Sequence, residues 1–104
     1  MRKITRNDID KNNMVVLGYC QCQTILNMFA YDYKVGYNSG IYGWNYDLYR
    51  INGVDIVTGY NTPYAKYNNN EVKNKLVKLE NEARKNYDYS KIAEYKKEFF
   101  KIFE

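Results

Sequence analysis

Two cysteines, at positions 20 and 22, are the strongest nucleophiles in this chain. Histidine is absent from the 104 residues, which removes the Ser-His and Cys-His pairs that activate a hydroxyl or a thiol. Cys20 is predicted near a helix N-terminus, where a thiolate is stabilised, whereas Cys22 falls on an apolar stripe and is predicted to pack in the core. Two cysteines at C-x-C spacing, with no further Cys or His, do not complete a four-ligand zinc site. We therefore predict no metal site.

Carboxylate chemistry has little support in the spacing of the acidic residues. Asp32, Asp47 and Asp55 are the only acids in the middle of the chain, and two carboxylates must converge in a cleft for glycosidase or metal-nuclease chemistry. Asp55 is predicted to pair with Arg50, and Asp47 to hydrogen-bond with Thr58 or a neighbouring turn. Glycine-rich phosphate-binding motifs are also missing. The prediction is a protein that is not an enzyme and needs no cofactor.

Aromatic residues are the best functional signal. Tyrosine occupies 13 of 104 positions, and Tyr and Trp dominate binding hot spots because they combine a large, rigid contact area with a polar group. The alternative is that AT-rich coding inflates tyrosine and that most rings lie at core edges. The predicted partner-binding residues are Trp44, Asn45, Tyr46, Tyr49, Tyr60 and Tyr64.

Stacking of bases on these rings is the second functional hypothesis. Single-stranded nucleic acid would need a basic groove beside the rings, and Lys34, Arg50 and Lys66 are the only basic residues in the region. The net charge of +4 is spread along the chain, so no segment is typical of a nucleic-acid-binding tail. A small nucleic-acid-binding module therefore stays the alternative to a protein-binding function.

The aromatic segment is predicted to form a β-hairpin. Asn52-Gly53 separates the apolar-aromatic runs 44–51 and 54–60, and Asn-Gly favours a type I′ turn because both turn residues need a positive φ. The two-residue loop predicts the cross-strand pairs Ile51–Val54, Tyr49–Ile56, Asp47–Thr58 and Asn45–Tyr60 on one face, and Arg50–Asp55, Leu48–Val57, Tyr46–Gly59 and Trp44–Asn61 on the other. Both faces carry apolar residues. Either helices cover both faces, or one face contacts a partner.

Residues 37–42 are predicted to add a third strand, with Gly40 and Gly43 at a bulge or bend. A short helix is predicted within residues 4–13. The run Met14–Leu17 fits either a buried strand or a connecting segment, since it is too short for periodicity to decide.

Three longer helices are predicted from apolar stripes at helical spacing. The first covers about residues 20–31. The second begins at Asn68–Asn70 and carries outward pairs Glu71–Lys75 and Glu80–Arg84, and the third is capped by Asp88 or Ser90. The stripes are Cys22, Ile25, Leu26 and Phe29; then Val72, Leu76, Leu79 and Ala83; then Ile92, Tyr95, Phe99, Ile102 and Phe103, with Phe100 alongside.

The predicted fold class is α+β, as one domain over residues 1–104. A small antiparallel sheet, either a hairpin or a three-stranded meander over about residues 37–60, packs with an N-terminal helix and two C-terminal helices. No apolar segment follows the basic start, so no signal peptide and no membrane association are predicted. The expected location is the cytoplasm, where both thiols are reduced.

The run Tyr42-Gly43-Trp44-Asn45-Tyr46-Asp47-Leu48-Tyr49, followed by Thr58-Gly59-Tyr60, resembles a pattern in small uncharacterised proteins of phages and mobile elements from low-GC Gram-positive bacteria. Those proteins pair this run with an upstream helix bearing Cys and Gln, like residues 20–27. An Arg-Pro often follows their T-G-Y, where this chain has Asn61-Thr62-Pro63.

The resemblance implies a mobile-element setting in the host cytoplasm. Small proteins of that setting often block host defence, so the expected partner is a host protein or a nucleoprotein complex such as a CRISPR-type immunity nuclease, with nucleic acid reached through the complex. Such an anti-CRISPR-like inhibitor is expected to be a monomer or a homodimer.

Overall fold

The computed structural model describes residues 2–18, 21–39, 45–59, 68–85 and 89–104. Five strands in these ranges form one sheet: β1 (Arg2–Lys3), β2 (Met14–Leu17), β3 (Lys34–Ser39), β4 (Asn45–Ile51) and β5 (Val54–Gly59). Helix α1 (Gln23–Ile25) continues into a π-helical turn (Leu26–Ala30) and a 3-10 turn (Tyr31–Tyr33), so residues 23–33 make one helical stretch. Helices α2 (Asn70–Lys85) and α3 (Ile92–Lys101) follow. The α+β fold class is confirmed.

The sheet is larger and more mixed than the sequence predicted. Its strand order is β1-β3-β4-β5-β2. The β3–β4–β5 part is an antiparallel meander, but β1 pairs with β3 and β2 pairs with β5 in parallel. The predicted three-stranded antiparallel meander is therefore present, but two parallel strands that were not predicted extend it, and the run Met14–Leu17 is one of them.

Two local predictions also need correction. The third strand begins at Lys34 rather than at Tyr37, with its register irregularity between Lys34 and Gly36; the predicted bend at Gly40 and Gly43 lies outside the described residues. Within residues 4–13 the helix is only a 3-10 turn at Arg6–Asp8.

The hairpin itself is confirmed residue by residue. Asn52 has a φ of 48° and Gly53 a φ of 79°, which are the positive values that a type I′ turn requires. Ile51 lies opposite Val54 and Asp47 opposite Thr58, as the two-residue loop predicts. All six predicted pairs from Ile51–Val54 to Tyr46–Gly59 are present, while the pairs that involve Trp44, Tyr60 and Asn61 lie outside the described residues.

Two apolar clusters lie on opposite faces of the sheet. The larger one contains Tyr49, Ile51, Val54 and Ile56 on the face that the helices cover. The three helical stripes contribute to it as predicted: Cys22, Ile25, Leu26, Phe29, Leu76, Leu79, Ala83, Tyr95, Phe99 and Phe103 are buried, and Val72, Ile92, Phe100 and Ile102 pack against them. No helix in the described ranges has the length and apolar character that a membrane crossing requires.

The second face is covered by the N-terminal segment rather than by a helix layer. Ile4 and Ile9 are buried there against Tyr46, Leu48 and Val57, with the strand residues Met14 and Val16 in the same cluster. The alternative in which helices cover both faces is therefore wrong in detail, although apolar side chains of the described hairpin residues are buried on both faces.

Consecutive asparagines join the sheet to α2. The Asn68 side chain accepts a hydrogen bond from the Val16 N–H (3.0 Å) and donates one to the Val16 carbonyl (3.4 Å), so it occupies the outer edge of β2 as a neighbouring strand would. Asn69 caps α2 by accepting a hydrogen bond from the Val72 N–H at 3.2 Å. The predicted helix start is confirmed.

A buried carboxylate fixes the N-terminal segment to the hairpin. Asp55 is fully buried and accepts hydrogen bonds from Arg50 Nε (2.6 Å), Arg50 Nη2 (3.0 Å) and the Asp10 N–H (2.7 Å). Arg50 Nη2 also donates to the Asp8 carbonyl oxygen at 2.6 Å. The hydrogen bond to Asp55 raises the pKa of Arg50 above its ordinary value.

We expect the substitution Asp55→Asn to lower the free energy of unfolding by about 2–3 kcal/mol, because it removes the charge that three donors satisfy. Asp47→Asn is the matched control, since Asp47 is half-exposed in its ion pair with Lys34, and it should cost less than about 1 kcal/mol. Urea unfolding of both variants measures the difference. Equal losses would contradict the assignment of Asp55 as the organising carboxylate.

Candidate functional site

Two of the predicted partner-binding residues are core residues in this structure. Tyr46 is 4% exposed and Tyr49 is 5% exposed, and they lie in the clusters on opposite faces of the sheet. Neither ring offers contact area to a partner in this conformation. Trp44, Tyr60 and Tyr64 lie outside the described residues, and Asn45 begins β4 with a side chain that is also outside them.

The buried rings have structural roles that their positions explain. Tyr46 lies opposite Gly59, whose φ of 122° is a backbone conformation that favours glycine. Tyr49 packs on the helix-covered face, where burial, together with the charge of Asp47, raises its pKa. Lys34 Nζ lies 6.0 Å from the centre of the Tyr49 ring.

Within the described ranges, most of the exposed large apolar side chains lie in the stretch before the hairpin. Met28, Tyr31, Tyr33 and Tyr37 are 37%, 68%, 42% and 39% exposed. They are four of the five exposed large apolar side chains in the described ranges, and the fifth, Tyr89, follows α2. We call these four residues, within 28–37, the tyrosine stretch.

The tyrosine stretch joins the first helical stretch to the sheet. Its helical part ends at Tyr33, and Lys34 turns to extended backbone with φ −72° and ψ 118°. The Tyr33 ring rests against Phe100 of α3 with ring centres 5.4 Å apart. Tyr37 lies on β3 opposite Asp47 and beside Lys3 of β1. Two tyrosines are thus held by packing and by strand pairing while part of each ring faces solvent.

A signal for part of this stretch was present in the sequence. The apolar stripe of the first helix runs through Cys22, Ile25, Leu26 and Phe29, so Met28 and Tyr31 fall off it, on the side that carries Thr24 and Asn27. Apolar residues three positions apart are neighbours on a helix, and an exposed apolar patch is a candidate contact surface. Tyr33 and Tyr37 carried no such signal, because their exposure depends on how α3 and β1 pack beside them.

Two of the charges beside the tyrosine stretch form an ion pair. Lys34 Nζ lies 3.3 Å from Asp47 Oδ1, with the two side chains 18% and 41% exposed. The Asp47 carboxylate is therefore paired across strands with Lys34, a partner that the hairpin pattern alone did not predict. The Lys34–Asp47 pair consequently adds no net charge beside the exposed rings.

The thiol of Cys22 is unsuited to nucleophilic chemistry. Its side chain is 2% exposed. Burial, reinforced by the charge of Glu80 and only partly opposed by Lys73, raises its pKa from 9.0 to about 12. Cys22 precedes Gln23 with a φ of 58° and makes no side-chain capping hydrogen bond. Its packing in the core is as predicted, and Cys20 lies outside the described residues.

Glu80 corrects one prediction about α2. It was expected on the outer face with Arg84, but it is 5% exposed, and its Oε1 accepts a hydrogen bond from the Ile25 N–H at 2.9 Å. Ile25 is in the first turn of the first helical stretch, where N–H groups have no partner within the helix. Glu80 thus performs from α2 the capping that the side chain of Cys22 does not. The predicted pair Glu71–Lys75 is present at 3.5 Å.

In the described part of the chain, no three His, Cys, Asp or Glu side chains lie close enough together to hold a metal ion. Comparison with protein-family models, with curated proteins and with solved structures found no match. The functional argument therefore depends on the surface of the molecule itself.

The burial of Cys22 predicts slow thiol chemistry in the folded protein. In a Cys20→Ser background, the reaction of Cys22 with a disulfide reagent should be at least about a hundredfold slower in buffer than in denaturant, because it must await local opening of the core. The Cys22→Ser variant, which keeps Cys20, is the comparison. Equal rates for Cys22 in the folded and unfolded chain would contradict the burial.

The raised pKa of Cys22 predicts a loss of stability at alkaline pH. Above its ordinary pKa of 9.0 the thiol of the unfolded chain releases a proton, while the folded chain keeps it until about pH 12. Unfolding therefore becomes more favourable as the pH rises between these values. We expect the stability difference between wild type and Cys22→Ala, from urea unfolding at each pH, to be constant below pH 9.0 and to shift against wild type above it. A stability difference that stays constant through this pH range would contradict the raised pKa of Cys22.

Proposed function

We propose that this protein is a non-enzymatic binding protein that captures a protein partner through the tyrosine stretch. The observation that carries this proposal is that, within the described ranges, four of the five exposed large apolar side chains lie in residues 28–37, next to a hairpin whose described rings are buried. Tyrosine gives much contact area for little loss of side-chain freedom, which is why it is enriched at binding hot spots.

The support beneath the exposed rings favours this role. Tyr33 is backed by Phe100, and Tyr37 belongs to a strand that has neighbours on both sides. A partner that covers these rings would not need to order the backbone that carries them, so little of the binding free energy would be lost to ordering.

The electrostatics favour a protein partner over nucleic acid. Binding of single strands needs a positively charged groove that follows the phosphates. Lys34 is the only basic residue at positions 28–37, and its ammonium group is paired with Asp47. Nucleic-acid binding remains the alternative, and it predicts an affinity that falls steeply with salt.

The identity of the partner is a finer proposal. The resemblance of the segment 42–60 to small phage and mobile-element proteins motivates a host immunity complex as the target and inhibition as the outcome. Its support is that resemblance alone, so the experiment must identify the partner without assuming it.

A photo-crosslinking amino acid at position 31 would identify the partner, since this side chain is the most exposed of the tyrosine stretch. The affinity of the purified partner should then fall at least about tenfold for Tyr31→Ala and Tyr37→Ala, as expected when hot-spot tyrosines are truncated. Tyr89→Ala is the matched control, because Tyr89 is 71% exposed but lies outside the stretch, and it should leave the affinity unchanged.

Circular dichroism and urea unfolding should show that all three variants keep the fold. Equal affinity loss for Tyr89→Ala, or no loss for Tyr31→Ala and Tyr37→Ala, would contradict the tyrosine stretch as the binding surface. Crosslinking to nucleic acid with strong salt dependence would instead support the alternative function.

A further inference from the structure

The hairpin turn is tied to the C-terminal end of the chain by one side-chain amide. Asn52 Nδ2 donates a hydrogen bond to the carbonyl oxygen of Phe103. Phe103 is 4% exposed, its N–H bonds to the Phe100 carbonyl at 3.1 Å, and its ring lies 5.3 Å from that of Phe99. We call this contact the Asn52 latch.

The residue that forms the latch is also the most reactive asparagine by sequence. Asn52-Gly53 is the only Asn-Gly step in the chain. Glycine has no side chain that would hinder the attack of its backbone nitrogen on the side-chain amide carbon (Cγ) of the preceding asparagine. Apart from residues 52–54 themselves, no described atom lies within 4 Å of where a Cβ of residue 53 would be, and both turn residues are at the surface.

We propose that Asn52 is a site of spontaneous deamidation, and that loss of its amide releases the C-terminal turn from the hairpin. The Gly53 nitrogen attacks Cγ of Asn52, the new C–N bond forms, the Cγ–Nδ2 bond breaks, and ammonia leaves with the proton of the Gly53 N–H. Water then opens the cyclic imide at either carbonyl, which produces aspartate or isoaspartate. No other reactant is needed.

The product cannot form the latch. A carboxylate has no hydrogen to donate, and its negative charge would face the carbonyl oxygen of Phe103. Isoaspartate also adds a methylene to the backbone of a two-residue turn whose conformation depends on the φ values of Asn52 and Gly53. Either product should therefore loosen the C-terminal turn after α3.

The latch also protects its own amide. In the folded protein the Asn52 side chain is oriented towards Phe103, so ring closure must await release of that hydrogen bond. The net contribution of one hydrogen bond is about 0.5–1.5 kcal/mol. Weakening the packing that positions Phe103 should therefore speed deamidation by about 2–10-fold.

Peptide mapping of the purified protein, aged in mildly alkaline buffer, tests the site. The internal reference is Asn38, whose amide also donates to a backbone carbonyl, that of Ile4 at 2.8 Å, but which precedes serine. We expect aspartate and isoaspartate to accumulate at Asn52 ahead of Asn38. Conversion at Asn52 that does not exceed conversion at Asn38 would overturn the proposal.

Two variants distinguish local release from general destabilisation. Phe103→Leu weakens the packing that positions the Phe103 carbonyl and should speed deamidation at Asn52 by about 2–10-fold. Ile4→Val is the matched control, since it removes a buried methylene from the cluster on the opposite face of the sheet, and it should leave the rate unchanged. Equal acceleration by both variants would overturn the protective role of the latch.

The consequence for the fold is measured by amide hydrogen exchange. Asn52→Asp and the aged, deamidated fraction should both exchange faster than wild type at residues 102–104, while the strand pairs Leu48–Val57 and Tyr49–Ile56 keep their protection. Unchanged exchange at residues 102–104 in both samples would overturn the release of the C-terminal turn.

Discussion

The buried carboxylate of Asp55 constrains the rest of the structure. An ionised carboxylate without partners is very unfavourable away from water, so β5 can be buried only when the donors of Arg50 and the Asp10 N–H are in place. The peptide groups on both sides of Ile9 are bound by this network, through the Asp8 carbonyl and the Asp10 N–H. Ile9 is thereby directed onto the second face of the sheet, where it joins the cluster that covers it.

Local chemistry made much of the fold predictable. The Asn52-Gly53 turn, the hairpin register and the stripes of the helices depend on residues close in sequence, and these predictions are confirmed. The parallel pairing of β2 with β5 joins segments about 40 positions apart. The four apolar residues of β2 do not indicate by their sequence which strand they pair with. The prediction that Glu80 faces outward was wrong for the same reason. Its carboxylate is buried because it accepts a hydrogen bond from the Ile25 N–H, which is distant in sequence.

The candidate site was harder to predict than the fold. Alternation along β4 assigns Tyr46 and Tyr49 to opposite faces, but it does not reveal that the N-terminal segment covers one face and the helices the other. Tyr33 and Tyr37 look no different in sequence from those buried rings. Their exposure is decided by Phe100 and by the two-residue strand β1, which are distant in sequence. Trp44, Tyr60 and Tyr64 stay predictions.

Burial also decides which aromatic residues can bind at low cost. To reach a partner, Tyr46 or Tyr49 would have to leave the core, and removing a large aromatic side chain from a core costs about 3–5 kcal/mol. That is a large share of the total stability of a typical domain. Tyr31 and Tyr37 would lose only rotamer freedom and hydration, at about 0.5–1.5 kcal/mol for each immobilised side chain. Under the proposed function, the described part of the hairpin would therefore act mainly as the rigid support beside β3, while the exposed rings of residues 28–37 would supply the contact area.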